Sequence, residues 1–267
     1  MSSWDFLTEA LKPESLILDC RSEEAYNRST VKDAHGVSAI KKPFGSGPRS
    51  MSMLSAFIER VLKLAEDKTS ITVLDEGQGM YACRMAWILF TVGYKNINIF
   101  ARKFSDIPAE YLGAGQGQIS AEPEEKEKPR EFPGLVPIAF VQQNLTRVQL
   151  LDVRTPEEYE GRLPRMTNPD PGGICGRIPG SVNWDWRTLY GPDGYLRDKF
   201  TMIQQIRAMG LIQERPTIIY DYNGARSCTT AMVLRSCGYR QVQVYLGSWM
   251  EWRKSNLPKQ NAGSWNP

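Results

Sequence analysis

Two kinds of hydrophobic pattern alternate along the chain. Short apolar runs, typical of buried strands, are followed by longer segments in which apolar residues recur every three or four positions, typical of helices. The predicted strands are residues 16–21, 71–74, 96–100, 150–154, 217–220 and 242–245, and the predicted helices are residues 4–12, 53–64, 81–92 and a segment that ends at Cys237. Strands that alternate with helices predict an α/β fold, with parallel sheets flanked by helices on both faces.

The order of these elements occurs twice, which predicts an internal repeat. Residues 150–159 resemble residues 18–26, and residues 217–239 resemble residues 71–94, which places Cys83 opposite Cys228. The stretch 122–133 between the copies is rich in charge and proline, a composition typical of a solvated linker. We therefore predict an amino-terminal domain at 1–112, a linker at 113–134 and a carboxy-terminal domain at 135–267.

Composition excludes several classes of function. The 267 residues carry 33 basic and 30 acidic side chains, a balance that gives no support to nucleic-acid or membrane-surface binding. No apolar run reaches the roughly 20 residues of a transmembrane helix, and residues 1–5 do not resemble a signal peptide. The only histidine is His35, so a Cys–His or Ser–His–Asp mechanism and a metal site are not expected. We also predict no bound cofactor.

The five cysteines also bear on where the protein resides. Their number is odd and they form no C-x-x-C pair, so a disulfide framework or a zinc site is not expected. This composition favours a reducing intracellular compartment, either the cytoplasm or the mitochondrial matrix.

Residues 218–231 form the stretch with the clearest candidate chemistry. The apolar run ends at Tyr220, a short loop with one glycine follows, and a helical pattern begins near Arg226. Loops at the carboxyl ends of parallel strands commonly carry sites, and their N–H groups together with a helix amino terminus bind anions. The candidate anion-binding residues of this loop are Gly224, Ala225, Arg226 and Ser227.

Four sequence elements in order resemble the rhodanese family of thiosulfate and mercaptopyruvate sulfurtransferases, over nearly the whole chain. They are Leu151-Asp152-Val153-Arg154 with Glu158-Tyr159; Gly176-Arg177-Ile178-Pro179-Gly180, with arginine where the family usually has histidine; the loop Asp221 to Ser227, which has the layout C-x-x-G-x-R-S; and Tyr245-Leu246-Gly247-Ser248-Trp249 with Glu251-Trp252. The first half is more divergent, and its segment 75–79 looks like the non-catalytic loop of the family. The resemblance implies two rhodanese-like domains.

The resemblance also implies a chemistry that this sequence departs from. Family members hold sulfane sulfur as a persulfide on the first loop residue, a cysteine, and the position here is Asp221. The active loop, Asp221, Tyr222, Asn223, Gly224, Ala225 and Arg226, is therefore degenerate. We expect the loop N–H groups and Arg226 to pair with the Asp221 carboxylate, and we count Arg177 among the anion-binding residues.

Two functions follow as hypotheses. In the first, the protein is a catalytically silent homologue that serves as a binding or structural module, for instance an accessory subunit of a larger assembly, with a protein partner at the interdomain cleft or the linker. In the second, it is an active sulfurtransferase that moves sulfane sulfur from thiosulfate or mercaptopyruvate to a thiol acceptor through a relocated cysteine. The candidates are Cys228, whose apolar helical setting favours a core role, and Cys175, which lies in a glycine-rich loop beside Arg177.

Overall fold

The computed structural model of the chain describes residues 4–12, 14–77, 79–123, 130–163 and 175–261. The chain divides into two compact units, Met1–Pro133 and Gly134–Pro267. The centre of the expected linker, residues 124–129, and most of the glycine-rich segment before Cys175 lie outside the described residues.

The first unit is built on a parallel sheet. Its described strands are β1 (Leu7–Thr8), β2 (Ser15–Asp19), β3 (Thr30–Val31), β4 (His35–Gly36), β5 (Ser70–Leu74), β6 (Ile97–Phe100) and β7 (Leu112–Gly113). Five of these pair in the order β1-β6-β5-β2-β4, while β3 and β7 form a small antiparallel ribbon. The α-helices in the described part of this unit are α1 (Glu23–Arg28), α2 (Pro48–Leu64) and α3 (Met80–Thr91).

The second unit repeats this topology. Within the described part of the chain its strands are β8 (Leu135–Val136), β9 (Gln149–Asp152), β10 (Val182–Asn183), β11 (Thr217–Tyr220) and β12 (Val242–Tyr245), and its helices are α4 (Ile138–Asn144), α5 (Pro156–Tyr159), α6 (Lys199–Ala208), α7 (Arg226–Ser236) and α8 (Ser248–Trp252). All strand pairs are parallel, in the order β8-β12-β11-β9-β10. This order is the counterpart of the first sheet, so the fold class and the repeated order of elements are confirmed.

Buried strands and local caps explain why these segments fold as they do. Strands β2, β5 and β11 are buried along their whole length, as expected for parallel strands covered on both faces. Helix α1 begins where the Ser22 hydroxyl accepts the Ala25 N–H, and α5 begins with a capping box between Thr155 and Glu158. Each central strand ends beside an aspartate at the carboxyl edge of its sheet, and this edge carries the candidate site.

The prediction of a helix at residues 4–12 is wrong. Leu7 and Thr8 instead form β1, which pairs with Ile99 and Phe100 of β6. The Phe6 carbonyl accepts the Ile99 N–H at 2.8 Å, and the Thr8 carbonyl accepts the Ala101 N–H at 2.9 Å. The apolar spacing fitted a helix, but pairing with the open edge of the sheet satisfies these backbone groups and buries Phe6.

The flanks of the expected linker pack against the first unit. Ile119, Ala121 and Phe132 are buried, and the Arg130 N–H donates to the Ser55 hydroxyl at 2.8 Å. The Arg130 side chain also binds Glu59 of α2 at 2.6 Å. The Arg130 contacts therefore tie this polar stretch to α2.

His35 gives the first unit a predicted pH dependence. Burial, with a smaller effect of the Lys68 charge, lowers the pKa of this half-buried side chain below its usual value of about 6.5. The folded state then binds the proton less tightly than the unfolded state, so stability is lost as the pH falls below about 6.5 towards the folded pKa. We expect His35→Asn to weaken this loss, measured by urea denaturation at about pH 5 and about pH 7.5. An unchanged pH dependence in the variant would contradict the assignment.

Candidate functional site

The Asp221 loop, residues 221–225, connects β11 to α7 and is organised by one carboxylate. Asp221 is completely buried. Its Oδ1 accepts the N–H groups of Asn223 at 2.6 Å and Gly224 at 2.5 Å. Its Oδ2 accepts the Ser227 N–H at 2.8 Å and the Ser227 hydroxyl at 3.1 Å. The loop N–H groups therefore bind Asp221, as the sequence predicted.

The closing element of the second unit fastens this loop from the other side. The Asp221 N–H donates to the Ser248 hydroxyl at 3.2 Å, and the Asp221 carbonyl accepts the Trp249 N–H at 2.9 Å. The Met250 N–H donates to the Tyr222 carbonyl at 2.8 Å. Because Trp249 is itself fully buried in the core of the unit, the start of α8 gives the loop a rigid support.

Gly224 is required by the path of the loop. Its φ angle of 82° lies in the left-handed region, and a Cβ atom there would lie 2.6 Å from the Leu246 carbonyl oxygen. Both the backbone conformation and the close approach therefore favour glycine.

We expect Gly224→Ala to lower the free energy of unfolding by about 1–3 kcal/mol, through backbone strain and the clash with Leu246. Chemical denaturation measures the loss. Gly180→Ala is the matched control, because Gly180 also has a positive φ of 77° but open space around its Cβ position. Equal losses in the two variants would show that the Leu246 contact costs nothing.

Arg226 binds Glu158, so the expectation that it pairs with Asp221 is wrong. Its Nη1 donates to Glu158 Oε2 at 2.8 Å and its Nη2 donates to Oε1 at 3.1 Å. Burial opposes the charge of Arg226, but the Glu158 hydrogen bonds and the nearby Asp221 charge outweigh it, and the pKa of Arg226 is raised. The geometry is bidentate, the arrangement that best fits a guanidinium to a carboxylate.

Glu158 is the residue of the site that sequence reasoning assigned no role. It is completely buried, and its carboxylate also accepts the Thr155 N–H at 3.2 Å as part of the α5 capping box. The carboxylate thus joins the first turn of α5 to the first turn of α7. The signal was present in the Glu158-Tyr159 pair, but a capping box in sequence gives no indication of a distant arginine.

The first unit carries an equivalent loop around Asp75. This carboxylate is nearly buried, and its Oδ1 accepts the N–H groups of Gly77 at 2.9 Å and Gly79 at 3.1 Å. Its Oδ2 accepts those of Tyr81 and Ala82, both at 3.1 Å. No arginine occurs between positions 75 and 82, so this loop has the carboxylate of its counterpart but not the arginine.

Cys228 lies on the inner side of the Asp221 loop. It is fully buried on α7, and its Sγ donates to the Gly224 carbonyl at 3.2 Å. A carbonyl acceptor stabilises the S–H form, whereas the N–H groups that would stabilise a thiolate bind Asp221. This setting favours the structural role for Cys228.

The contacts of the other candidate residues, Cys175 and Arg177, are with different groups. Cys175 is half-buried, next to Gly176, whose carbonyl accepts a hydrogen bond from Arg154 at 2.8 Å. The Arg177 guanidinium lies 4.5 Å from the centre of the Tyr159 ring and donates to the Tyr159 carbonyl at 3.3 Å. Arg177 therefore stacks on a neighbouring aromatic ring in this structure.

Two further thiols have raised pKa values. Burial, with smaller effects of Asp75 and Asp19, raises the pKa of Cys20 well above its usual range, and burial raises the pKa of Cys237 to about 11. Both thiols are protonated near neutral pH, which makes them poor nucleophiles.

Within the described ranges no group of three or more His, Cys, Asp or Glu residues is placed to hold a metal ion. None of the described helices is long and apolar enough to cross a membrane.

Comparison with known proteins gives a consistent result. The family model described as rhodanese-like domain matches residues 3–107 and 139–255. A thiosulfate sulfurtransferase of Pseudomonas aeruginosa is 24% identical over 259 residues, which cover 90% of this chain and 88% of the relative. A probable 3-mercaptopyruvate sulfurtransferase of the same species is 24% identical over 262 residues, with 90% of each chain covered. The sulfur carrier protein TtuD of Thermus thermophilus is 34% identical over 106 residues, 39% of this chain and 37% of that protein.

Solved structures agree in fold. A probable thiosulfate sulfurtransferase superposes with a TM-score of 0.65 at 22% identity, covering 94% of this chain and 99% of that one. Wild-type EanB superposes with a TM-score of 0.72 at 17% identity, covering 96% of this chain and 65% of that one. At these identities the likeness concerns the fold.

Proposed function

Because the chain belongs to the rhodanese-like family of sulfurtransferases, we propose that it is a catalytically silent member that acts as a binding or structural module. The observation that carries the proposal is the buried Asp221 carboxylate, which takes up the N–H groups of Asn223, Gly224 and Ser227. Residues 221–227 resemble the family's C-x-x-G-x-R-S loop in layout, with aspartate in the cysteine position. A carboxylate oxygen does not carry sulfane sulfur as a cysteine persulfide does.

The charge of the carboxylate supports the same conclusion. Thiosulfate and mercaptopyruvate are anions, and the donors that would bind them or stabilise a persulfide are already used by Asp221. A second buried anion in the Asp221 loop would meet like-charge repulsion at short range. The module would therefore act through its surfaces, with a protein partner as the ligand class.

The alternative is an active sulfurtransferase that uses Cys228 or Cys175. The buried S–H of Cys228, bonded to the Gly224 carbonyl, speaks against that residue. Half-buried Cys175 is the stronger candidate of the two. The odd number of cysteines and the lack of a C-x-x-C pair support the proposed reducing compartment, cytoplasm or mitochondrial matrix.

Turnover assays of the full chain test the proposal. We expect thiosulfate:cyanide and mercaptopyruvate:thiol turnover at the level of a protein-free control, and no adduct with the mass of one sulfur atom after incubation with either donor. Cys175→Ser and Cys228→Ala are the matched variants. Turnover by the wild type that is lost in one of them, together with a sulfur adduct on that cysteine, would establish the alternative.

A further inference from the structure

Asp221 resembles a sulfur-loaded cysteine in shape as well as in charge. We propose, on the basis of the silent function above, that its carboxylate is a built-in mimic of a cysteine persulfide and holds the loop permanently in the sulfur-loaded conformation. The partner class that this fits is a protein acceptor of sulfane sulfur, which must distinguish a loaded donor from an empty one.

The positions of the accepting atoms carry the inference. In a cysteine persulfide the terminal sulfur is two bonds from Cβ, and the Oδ atoms of aspartate are also two bonds from Cβ. The N–H groups of Asn223 and Gly224 reach Oδ1, and the Ser227 N–H reaches Oδ2. A thiolate sulfur is one bond from Cβ, short of the atoms on which these donors converge. The loop therefore binds an anion of persulfide length.

Burial makes this arrangement permanent. Asp221 is completely inaccessible, and a change of loop conformation would break the hydrogen bonds that it accepts from the N–H groups of Asn223, Gly224 and Ser227. Hydrogen bonds to an ionised acceptor are stronger than neutral ones, which adds to the preference for this state. The sulfur of a loaded enzyme leaves at each turnover, whereas the carboxylate stays.

The first unit provides a second instance. Asp75 also accepts N–H groups at both Oδ atoms, from Gly77, Gly79, Tyr81 and Ala82. The two loops differ in length and sequence, yet in both of them several backbone N–H groups converge on the carboxylate oxygens of one aspartate. Each is thus held in an anion-occupied form.

A partner would recognise the shape of the loop. With the carboxylate buried, the accessible part of the loop is mainly Asn223, which is partly exposed and whose N–H is held by Asp221. The surface around Asn223 therefore keeps the conformation that the loop has when an anion accepts its N–H groups. A protein acceptor that recognises the sulfur-loaded form of the loop would therefore bind this chain whether or not a sulfur donor is present.

Amide hydrogen exchange across residues 221–228 tests the inference on the full chain. The proteins compared are the wild type, Asp221→Ser, and Asp221→Cys before and after treatment with thiosulfate. In the treatment the introduced thiolate attacks the outer sulfur of thiosulfate, a new S–S bond forms, and sulfite leaves with the electron pair of the broken S–S bond. Mass spectrometry confirms the gain of one sulfur atom, and polysulfide serves as a second donor.

We expect the wild type and the loaded variant to protect Gly224 and Ser227 equally, and both Asp221→Ser and the unloaded variant to exchange about 10- to 100-fold faster there. The Asp75 loop is an internal control that should not change. Equal protection in the unloaded variant, faster exchange in the loaded one, or failure to take up sulfur from either donor would overturn the mimic. Turnover by the wild type would overturn the silent function instead, so the two failures are distinguishable.

Discussion

Asp152→Ala is expected to lower the free energy of unfolding of the second unit by about 3–5 kcal/mol. Asp152 and Arg154 are both completely inaccessible, and Arg154 donates from Nε to Oδ1 at 3.0 Å and from Nη2 to Oδ2 at 2.6 Å. Burial opposes the charge of Arg154, but Asp152 outweighs it and the pKa of Arg154 is raised. Without Asp152 the arginine stays charged in the core with no carboxylate directly bonded to it.

A second Asp-x-Arg pair in the same unit provides the control. Arg187 donates to Asp185 from its Nε and Nη2 atoms, as Arg154 does to Asp152. In each pair the backbone N–H of the arginine also donates to the aspartate carboxylate at 3.0 Å. The Arg187 side chain, however, is 50% exposed. We therefore expect Asp185→Ala to cost about 1 kcal/mol or less. Chemical denaturation followed by fluorescence measures both variants, and losses of equal size would contradict the role assigned to burial.

The repeat is the feature that made the fold predictable from sequence. A parallel sheet buries its strands on both faces, so β5, β11 and their neighbours appear in the sequence as short apolar runs. Such runs can be recognised locally, without information about the rest of the chain. Their recurrence in the same order predicted the shared topology of the two sheets. The loop aspartates were predictable for the same reason, since each directly follows such a strand.

The parts that the sequence did not predict depend on contacts between distant residues. Leu7 of β1 pairs with Ile99, more than ninety positions away, and no local pattern indicates that an edge strand is needed there. Arg226 lies five positions from Asp221 in sequence, which suggested a pair, but its side chain reaches Glu158. Local spacing predicts elements and caps, whereas the choice of ionic partner depends on how α5 and α7 pack.

Asp221→Cys is expected to create sulfurtransferase activity in a protein that otherwise has none. The supporting groups are in place: Gly224 with its positive φ, the Ser227 hydroxyl, the Arg226–Glu158 pair and the fastening by Ser248. With the carboxylate gone, the N–H groups that bind it become free to stabilise the persulfide that the introduced cysteine forms. We expect thiosulfate:cyanide turnover about 100-fold or more above the wild-type background, the size of effect that positioned donors provide.

Asp75→Cys is the matched control, and it should stay at background. Its loop offers N–H donors of the same kind, but residues 75–82 contain no arginine, and the segment 101–104 replaces the closing Gly-Ser-Trp element. Activity in both variants would show that backbone donors alone suffice, and that Arg226 and Glu158 are structural. No activity in an Asp221→Cys protein that still unfolds in a single cooperative transition would mean that the family's framework has been lost beyond residue 221. The two variants thereby distinguish the effect of the missing cysteine from the effect of the residues that surround it.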